Sequence, residues 1–542
     1  MGPASAGPDG LMIAPPVTSA PLFSIVVPVY KPRRAYLTAM IDSVRNQDFP
    51  DWELICVDDA AGEDAVVTGI LSAAAAADSR VRLVTRTVNG GIVAATNDGI
   101  GIARGQFIAL VDHDDVLAPT ALSRVADTIA AVPDADVLYT DEAHLGEDNH
   151  PVSPFHKPDF SPERLRSHMY IGHLGVYRRS LIETIGGFRE GYDGSQDYDL
   201  ALRATEQARR VVHIPQALYY WRIHEESVSH RSDNSAVFDA AKRAIADHLD
   251  RIGMVGTVEQ THPVGVYRVR RPVQDEPLVS IVIPTRGGSA EVRGRQRVMV
   301  TEAVRSVIAN STYTNIEFIV VFDDPTPASV LADLAEIGGD RMHLVRWSAP
   351  FNFSAKINRG AVHAKGEYLL MLNDDVEVIS PDWLETMLSL AQQEGVGMVG
   401  PMLYFEDGTI QHGGHVYTGG GPGHIAFGWN PGSTGPFAGL IIDREVSGVT
   451  GACALMPTAL FNEIGGMSTT LPVNFNDVDL CLKVTTAGHR ILWTPHAELF
   501  HFESKTRVAG VVQEELDSLL LRWGSKLEAD PYWRFGADEH RQ

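Results

Sequence analysis

The sequence predicts an α/β protein made of two tandem, doubly wound domains. Two observations support this prediction. An ordered set of sequence blocks occurs twice, about 260 residues apart, and short β-branched runs alternate with helical stretches inside each copy. Strand–helix alternation with right-handed crossovers gives a parallel sheet that binds ligands at the carboxyl ends of its strands. The polar residues that follow each strand are therefore the candidate functional residues.

The elements of the first copy follow one another clearly. SIVVPV, ELICV and FIALV are typical of buried parallel strands, and AYLTAMIDSVRNQ and AVVTGILSAAAAA are typical of the helices between them. Each block returns in the same order in the second copy, with an offset of 256 between Ser24 and Ser280 and of 261 between Asn97 and Asn358. A repeat of this length indicates two whole domains rather than a solenoid.

The repeat sets the expected domain boundaries. We expect, in chain order, a flexible leader, a first domain, a linker, a second domain and a helical tail, at 1–21, 22–255, 256–277, 278–507 and 508–542.

Composition narrows the class of protein. The 542 residues include 45 basic and 69 acidic side chains, a formal charge of −24, which argues against nucleic-acid binding. The three cysteines are too isolated for a disulfide framework or a zinc site, and no apolar run reaches the roughly 18 residues that span a bilayer. We expect a soluble, acidic, cytoplasmic protein.

Carboxylates stand at the end of the second strand of each copy. Asp58 and Asp59 follow LICV, and Asp323 and Asp324 follow IVVF. A carboxylate at this position can accept hydrogen bonds from a ribose or a base. The alternative is that these side chains cap the next helix.

A denser acidic motif, Asp112-His-Asp114-Asp115, follows FIALV. Carboxylates packed at one strand end repel one another unless a cation offsets them, and oxygen ligands of this kind suit Mg²⁺ or Mn²⁺. The second copy has Asn373-Asp374-Asp375, in which an amide replaces the first carboxylate, so it offers a metal one carboxylate fewer. The alternative is an acidic turn exposed to solvent.

A third motif begins a helix after a Gly-Gly turn in each copy. It reads Gln196-Asp197-Tyr-Asp199 in the first and Asn476-Asp477-Val-Asp479 in the second. The alternative is that these carboxylates only cap their helices. Because this motif recurs in both copies beside an acidic metal motif, we favour Asp197 and Asp477 as general bases.

Histidines complete the pattern. His224 and His501 lie in His-x-Glu-Ser late in each copy, and their matching positions favour a metal or diphosphate ligand over a structural histidine. The glycine-rich stretch 419–423, with His412 and His424 nearby, follows no clear strand, and we interpret it as a flexible loop.

Taken together, these motifs resemble one family. Each half is similar to the inverting family 2 glycosyltransferases, over about residues 22–230 and 278–507. SIVVPVY, VDDA, N-x-G and Asp-x-Asp carry the resemblance in the first half, and TIQHGG, VTGAC and FNDVDLCLK carry it in the second. The second half is similar to bacterial enzymes that build O-antigen and rhamnan-type surface polysaccharides. The fold that the resemblance implies is two tandem GT-A (nucleotide-diphospho-sugar transferase, Rossmann-like) domains.

The resemblance also implies roles for single residues. The catalytic bases would be Asp197 and Asp477, and the cofactor would be Mn²⁺ or Mg²⁺. The implied metal ligands are Asp112, Asp114, His224, Asp375 and His501. The implied nucleotide-sugar-binding residues are Pro28, Tyr30, Asp58, Asp59, Asn97, Asp112, Pro284, Asp323, Asp324, Asn358 and Asp374.

The implied function is a bifunctional enzyme that moves sugars from a dTDP- or UDP-sugar to a glycan or polyprenyl-linked glycolipid. The tail LLLRWGSKLEADPYWRFG, with Trp523, Trp533 and Phe535, would contact the inner face of the plasma membrane. One alternative is that the second domain is a non-catalytic carbohydrate-binding copy. Another is a sugar-nucleotide pyrophosphorylase, which would need an early glycine-rich loop where this chain has PVYKPR.

Overall fold

The structure is a computed structural model that describes residues 20–59, 64–146, 150–223, 235–419, 421–503 and 510–534. The chain forms two compact units. The first comprises residues 1–160, 169–254 and 258–267, and the second comprises residues 161–168, 255–257 and 268–542.

The first 270 residues contain eleven described strands and eight described helices. The strands are β1 (Phe23–Val29), β2 (Trp52–Asp58), β3 (Val81–Thr85), β4 (Phe107–Leu110), β5 (Val116–Leu117), β6 (Val137–Leu145), β7 (Pro151–Phe155), β8 (Gly175–Arg178), β9 (Val211–Arg222), β10 (Thr257–Gln260) and β11 (Tyr267–Arg270). The helices are α1 (Arg34–Arg45), α2 (Ala65–Ala77), α3 (Gly91–Ile102), α4 (Ala121–Ala131), α5 (Pro162–Ser167), α6 (Arg179–Ile185), α7 (Gln196–Gln207) and α8 (Ser235–Arg251).

The remainder of the chain repeats this alternation. Its strands are β12 (Val279–Thr285), β13 (Ser289–Val292), β14 (Arg295–Val298), β15 (Ile316–Asp323), β16 (Met342–Trp347), β17 (Tyr368–Leu372), β18 (Val376–Val378), β19 (Val396–Tyr404), β20 (Ile410–His412), β21 (His415–Thr418), β22 (Gly421–His424), β23 (Arg444–Glu445), β24 (Cys453–Pro457) and β25 (Arg490–His501). Its α-helices are α9 (Met299–Asn310), α10 (Ala328–Gly338), α11 (Phe353–Ala361), α12 (Trp383–Ala391), α13 (Thr458–Glu463), α14 (Asn476–Thr486) and α15 (Gln513–Trp523).

Each unit is built on one large sheet, and the two sheets have the same topology. The strand order is β3-β2-β1-β4-β8-β6-β9-β5 in the first unit and β16-β15-β12-β17-β24-β19-β25-β18 in the second. In both, the first four strands of this order are parallel, and the fifth is antiparallel to its neighbour. The predicted α/β class and the predicted duplication are therefore confirmed.

The sheet of the first unit is covered on both faces, which explains why its strands read as unbroken apolar runs. Ile25 and Val27 pack into one hydrophobic core, and Val26, which points to the opposite face, packs into another with Ile55 and Val57. Polar side chains are therefore found mainly at the ends of these strands. The carboxyl ends of β1, β2 and β4 lie at one edge, because the three strands are parallel neighbours.

The duplication extends to individual hydrogen bonds. Ser24 Oγ donates to Glu53 Oε1 at 2.7 Å and accepts from the backbone N–H of Gly105 at 2.8 Å. A Cβ atom on Gly105 would lie 2.5 Å from the Ser24 backbone nitrogen, so only glycine fits there. The second unit repeats this contact with Ser280, Glu317 and Gly366.

One segment differs from the predicted layout. Residues 161–168, expected within the first domain, belong to the second unit. Ser161 Oγ donates to the Glu445 carboxylate, and the buried Glu163 forms ion pairs with Arg271 at 2.6 Å and Arg166 at 2.9 Å. The stretch expected to be a linker contains the paired strands β10 and β11.

Within the part of the chain that the structure describes, no helix is both long enough and apolar enough to cross a bilayer.

Candidate active site

An open cleft with a cavity volume of about 110 Å³ lies at the carboxyl edge of the first sheet. Pro28 from β1, Asp112 from the turn after β4, and Asp197 from the first turn of α7 all line it, together with Gln196 and His173. Three of the residues predicted from sequence therefore meet in one cavity, although they are up to 169 positions apart in the chain. The cleft is where a doubly wound sheet is expected to bind a ligand.

The acidic motif of the first unit divides into an exposed and a buried part. The Asp112 side chain is 41% exposed. Asp115, in contrast, is buried and accepts hydrogen bonds from Tyr219 Oη at 2.5 Å and from the Arg222 backbone N–H at 2.8 Å. Burial, followed by the nearby charges of Asp112 and Asp114, raises the pKa of Asp115 well above its ordinary value. A cation in this turn would relieve that repulsion.

Sequence reasoning missed His173. Its Nε2 atom lies 3.6 Å from Asp112 Oδ2, and its ring stacks on Tyr219 with centroids 4.7 Å apart. Buried Lys157 fixes the backbone here, donating to the carbonyl oxygens of Ile171 at 2.6 Å and His173 at 2.5 Å. No local pattern in the sequence marks His173, because its neighbours in the cleft come from distant segments.

Asp197 and Asp477 occupy equivalent positions at the starts of α7 and α14. Asp197 Oδ1 accepts from the Tyr198 N–H at 2.8 Å, and burial and the charge of Asp112 raise its pKa. Asp477 Oδ2 accepts from the Gly451 N–H at 3.0 Å. Burial also opposes the charge of Asp477, but His415 and the Gly451 N–H outweigh it and lower the pKa.

The carboxylates after β2 are occupied by the protein itself. Asp59 accepts from the N–H groups of Gly90 at 2.9 Å and Gly91 at 2.8 Å, and its carboxylate pairs with Arg86 Nε at 3.0 Å. Asp59 thus binds the start of α3 and does not cap the next helix, α2, whose N-terminal N–H groups are bound by Asp64. Asp58 is fully buried, whereas Tyr30, after β1, is 45% exposed.

The second unit has a different arrangement after its second strand. Strand register places Thr285 opposite Phe322, whereas Val29 lies opposite Asp58, so Asp59 corresponds to Asp323 rather than to Asp324. Asp323 pairs at 2.8 Å with Nζ of Lys356, a fully buried side chain that also donates to the Thr285 carbonyl. Asp324 is 40% exposed and binds Arg346 at 2.5 Å. Pro284 lies inside the buried strand β12.

Asn97 and Asn358 stabilise the Gly-Gly turns that precede the helices α7 and α14. Asn97 donates to the Phe188 carbonyl and accepts from the Phe188 N–H, both at 2.9 Å. Asn358 makes the same two bonds to Met467, also at 2.9 Å. Both polar atoms of each amide bind backbone, so the structure gives these residues a role in positioning the turn.

The acidic motif of the second unit meets its histidine. His501 Nδ1 donates to Gln411 Oε1 at 2.8 Å, which leaves the Nε2 lone pair facing Asn373 at 3.0 Å and Asp375 at 3.2 Å. Asp374 accepts from Thr285 Oγ1 at 2.6 Å, and burial and the charge of Asp375 raise its pKa to about 7. His224, the counterpart predicted in the first unit, lies outside the described residues.

The stretch predicted as a flexible loop is instead ordered. His415–Thr418 and Gly421–His424 pair as an antiparallel hairpin, and His412 is fully buried. Side-chain nitrogens of His412, His415 and His424 lie within 4.8 Å of one another. Glycine-rich composition suggested a loop here, but the alternating histidines and apolar residues of this stretch pack on the sheet.

A comparison with known protein families identifies the group to which this geometry belongs. The family model described as Glycosyl transferase family 2 matches residues 24–186 and 280–465. The chain belongs to this family. Together with the repeated strand order, membership confirms the predicted class of two tandem GT-A domains.

Relatives of this family 2 chain include long bacterial proteins. It is 41% identical to uncharacterized protein y4gI of Sinorhizobium fredii over 95% of the chain, and 37% identical to O-antigen biosynthesis protein RfbC of Myxococcus xanthus over 91% of the chain. Over 39% of its length it is 29% identical to a chondroitin synthase of Escherichia coli, covering 30% of that protein. The chain spans 57% of the first relative and 38% of the second, which are thus considerably longer.

Solved structures show a weaker likeness. Staphylococcus aureus TarS 1-349 in complex with UDP-GlcNAc is 24% identical with a TM-score of 0.35, over 42% of this chain and 66% of that one. GalNAc-T7 with UDP, GalNAc and Mn²⁺ is 13% identical with a TM-score of 0.38, over 49% and 52%. Scores at this level support no conclusion about the ligands of the family 2 chain.

Proposed function

We propose that the chain is a bifunctional, metal-dependent, inverting glycosyltransferase that transfers sugars from nucleotide-diphosphate donors to a growing cell-surface glycan. The observation that carries the proposal is the first-unit cleft, in which Pro28, Asp112 and Asp197 meet. The same elements present Asp375 and Asp477 in the second unit. Family membership supports the reaction class, and similarity to an O-antigen biosynthesis protein supports the acceptor class.

In this proposal Asp197 and Asp477 act as general bases. Each takes the proton of an acceptor hydroxyl as that oxygen attacks the anomeric carbon from the face opposite the departing diphosphate. One carboxylate per site suffices, unlike the carboxylate pair of a glycosidase. Both aspartates sit in the first turn of a helix, α7 or α14, anchored by backbone N–H groups, which fixes the direction of the carboxylate.

The residues present fit a divalent cation. In the second unit the Nε2 lone pair of His501 and the Asp375 carboxylate face each other, and Gln411 fixes the tautomer that leaves Nε2 unprotonated, as the outer partner of a metal-binding histidine does. In the first unit Asp112 and Asp114 flank the turn. Mn²⁺ or Mg²⁺ bound there offsets the charge on the leaving diphosphate.

The metal shell is expected to be shared with the substrate. Among the described residues, neither acidic motif brings together three histidine, cysteine or acidic side chains within ligand distance. Magnesium commonly binds one or two carboxylates together with substrate phosphates. A dTDP- or UDP-sugar is the proposed donor, with Asp58, Asp59, Asp323 and Asp324 near the nucleoside.

The proposed acceptor is a glycan or a polyprenyl-linked glycolipid at the inner face of the plasma membrane. Helix α15 supports membrane contact, because Leu521 is 91% exposed and Leu520 is 41% exposed. Trp533, which the sequence suggested for this contact, is instead buried against Arg444. Phe535 lies outside the described residues.

A second candidate function is a single active domain followed by a carbohydrate-binding copy. Asn373 favours it, because an amide replaces the first carboxylate of the acidic motif in the second unit. Against it stands the complete set of Asp375, Asp477 and His501 in that unit. The two functions differ in whether Asp477 is needed for turnover.

The test is a screen of nucleotide sugars for Mn²⁺-dependent release of nucleoside diphosphate, with and without a glycolipid acceptor. We expect release from at least one dTDP- or UDP-sugar. That release should fall to background in the double variant Asp114→Ala/Asp477→Asn, which disables both sites. Arg305→Ala, a change of an exposed surface residue, is the matched control. Equal release in excess EDTA, or no release from any donor, would overturn it.

A further inference from the structure

Three histidines of the second unit meet beside the proposed base. The His412 ring centroid lies 4.9 Å from that of His424 and 5.2 Å from that of His415, with the ring planes nearly perpendicular. His415 Nε2 lies 3.9 Å from Asp477 Oδ2. Neither the acidic motif nor the base motif accounts for this cluster.

Three imidazoles at such distances resemble a zinc site, but the hydrogen bonds argue against one. The Thr450 N–H donates to His412 Nε2 at 3.2 Å, so the proton of neutral His412 is on Nδ1. A metal-bound histidine donates its other ring N–H to an acceptor, whereas Nε2 of His412 faces a donor. The His412 Nδ1–H instead points to His424 Nδ1, 2.7 Å away.

These bonds fix the tautomer of His424. Because Nδ1 of His424 accepts from His412, its own proton is on Nε2. Burial, followed by the neighbouring His415, lowers the pKa of His424 to about 4, so the ring is neutral near pH 7. The chain Thr450–His412–His424 therefore ends in one neutral N–H donor of fixed orientation.

The surroundings of His424 indicate what that donor contacts. The His424 ring centroid lies 5.3 Å from that of His415, whose Nε2 faces Asp477, and the charges of Asp477, Glu503 and His501 all act on His424. In the proposed reaction Asp477 is on the acceptor side and His501 is on the diphosphate side. The sugar being transferred is the part of the substrates that lies between those sides.

We propose that His424 is a sugar-binding residue of the second site, whose Nε2–H donates to a hydroxyl of the transferred sugar, and that His412 is a positioning residue that holds it. The proposal rests on the transferase function of the second unit. A neutral donor suits a hydroxyl, and the hydrogen bond from His412, which is itself held by the Thr450 N–H, orients the His424 ring before the sugar arrives.

The experiment isolates the second site in an Asp197→Asn background of the full chain. Release of nucleoside diphosphate is measured with Mn²⁺ and each of dTDP-rhamnose, UDP-glucose, UDP-galactose and UDP-N-acetylglucosamine. For the best donor, kcat, KM and the inhibition constant of the free nucleoside diphosphate are then determined. A lost sugar contact changes kcat/KM without changing that inhibition constant, whereas general damage changes both.

The variants separate contact from positioning. His424→Phe keeps a ring but removes the donor, and we expect kcat/KM to fall about tenfold or more, with the inhibition constant unchanged. His412→Leu should give a similar loss, and His412→Gln, which can both accept from Thr450 and donate to His424, should restore most of it. His363→Phe, an exposed histidine of the same unit, is the matched control.

Each contrary result has a distinct meaning. A kcat/KM within twofold of the background in His424→Phe would overturn the inference and leave the proposed function standing. The same holds if the purified chain retains one zinc ion that His415→Leu loses, since the histidines would then hold a metal. Absence of release by the wild-type chain with every donor would overturn the proposed function, and the inference with it.

Discussion

Asp197 and Asp477 start equivalent helices, and burial raises the pKa of each while a nearby histidine, His173 or His415, lowers it, but the balance differs between them. Asp197 lines its cleft together with Asp112, another carboxylate, whereas Asp477 lies near His415 and accepts the Gly451 N–H. The pKa of Asp197 is raised and that of Asp477 is lowered. A base works only when it is deprotonated, so the two sites are expected to lose activity at different pH values.

We predict that the acid limb of the pH–rate profile lies at higher pH for the first site than for the second. Because the pKa of Asp197 is raised, its carboxylate is protonated first as the pH falls. The profiles are measured as kcat/KM in Asp477→Asn, which leaves the first site, and in Asp197→Asn, which leaves the second. Coincident limbs, or the reverse order, would show that the two carboxylates do not set these profiles.

Metal removal is the second prediction at this scale. Dialysis against EDTA should abolish release of nucleoside diphosphate, and Mn²⁺ should restore it. The carboxylates of Asp112 and Asp375 and the diphosphate of the donor are all negative, and a cation offsets their repulsion. A titration of Mn²⁺ in each single-base variant reports on each site separately. Because the second site has Asn373 where the first has a carboxylate, it should need a higher Mn²⁺ concentration for half-maximal activity. Equal Mn²⁺ concentrations for the two sites would contradict this.

Among the elements, the short helix α5 is the least expected. Its buried Glu163 is paired with Arg271 and Arg166 inside the second unit. Burial alone would raise the pKa of Glu163, but these ion pairs outweigh it and lower the pKa to about 2. A folded-state pKa below the ordinary value of 4.5 contributes stability above pH 4.5, which is lost as the pH falls towards 2.

We predict that Glu163→Gln destabilises the second unit by about 3 kcal/mol, because breaking a buried ion pair leaves uncompensated charge. Urea unfolding at pH 7 measures the change, and the difference from wild type should shrink as the pH is lowered from 4.5. Glu291→Gln, at an exposed position of the same unit, is the control. An unchanged unfolding midpoint would contradict the prediction and mean that the ion pairs of Glu163 do not stabilise the unit.

Sequence alone predicted the strands that are apolar on both faces, such as β1 and β12, and the helices that begin at Gln196 and Asn476. It also placed Asp112 at the carboxyl edge of the sheet, because the carboxyl ends of parallel strands share that edge, and the resemblance to the family assigned Pro28 and Asp197 to the same site. It could not predict His173, Lys356 or the pairing of Glu163, since these contacts depend on which distant segments meet. Nor could it align Asp59 with Asp323, because strand register decides that.

At the scale of the whole molecule, the central feature is duplication with divergence. Both units keep the same strand order and a Ser–Glu–Gly contact at the start of the first strand. They differ around the site, where the second unit has Lys356 and the histidine cluster. Two units that share a fold but differ in the side chains of their sites are what we would expect if they act on different sugars or form different linkages.

The most direct test of two separate reactions is mass spectrometry of the products made by single-base variants. Asp197→Asn and Asp477→Asn keep the size of the side chain but remove the proton acceptor, which typically costs about 10² to 10⁴-fold in rate. With a polymeric acceptor, we expect each variant to stop after one sugar or fail to start, and a mixture of the two to restore extension if intermediates are released. If Asp477→Asn leaves the full product ladder intact while Asp197→Asn removes it, the second unit is a binding copy and the account of two active sites is wrong.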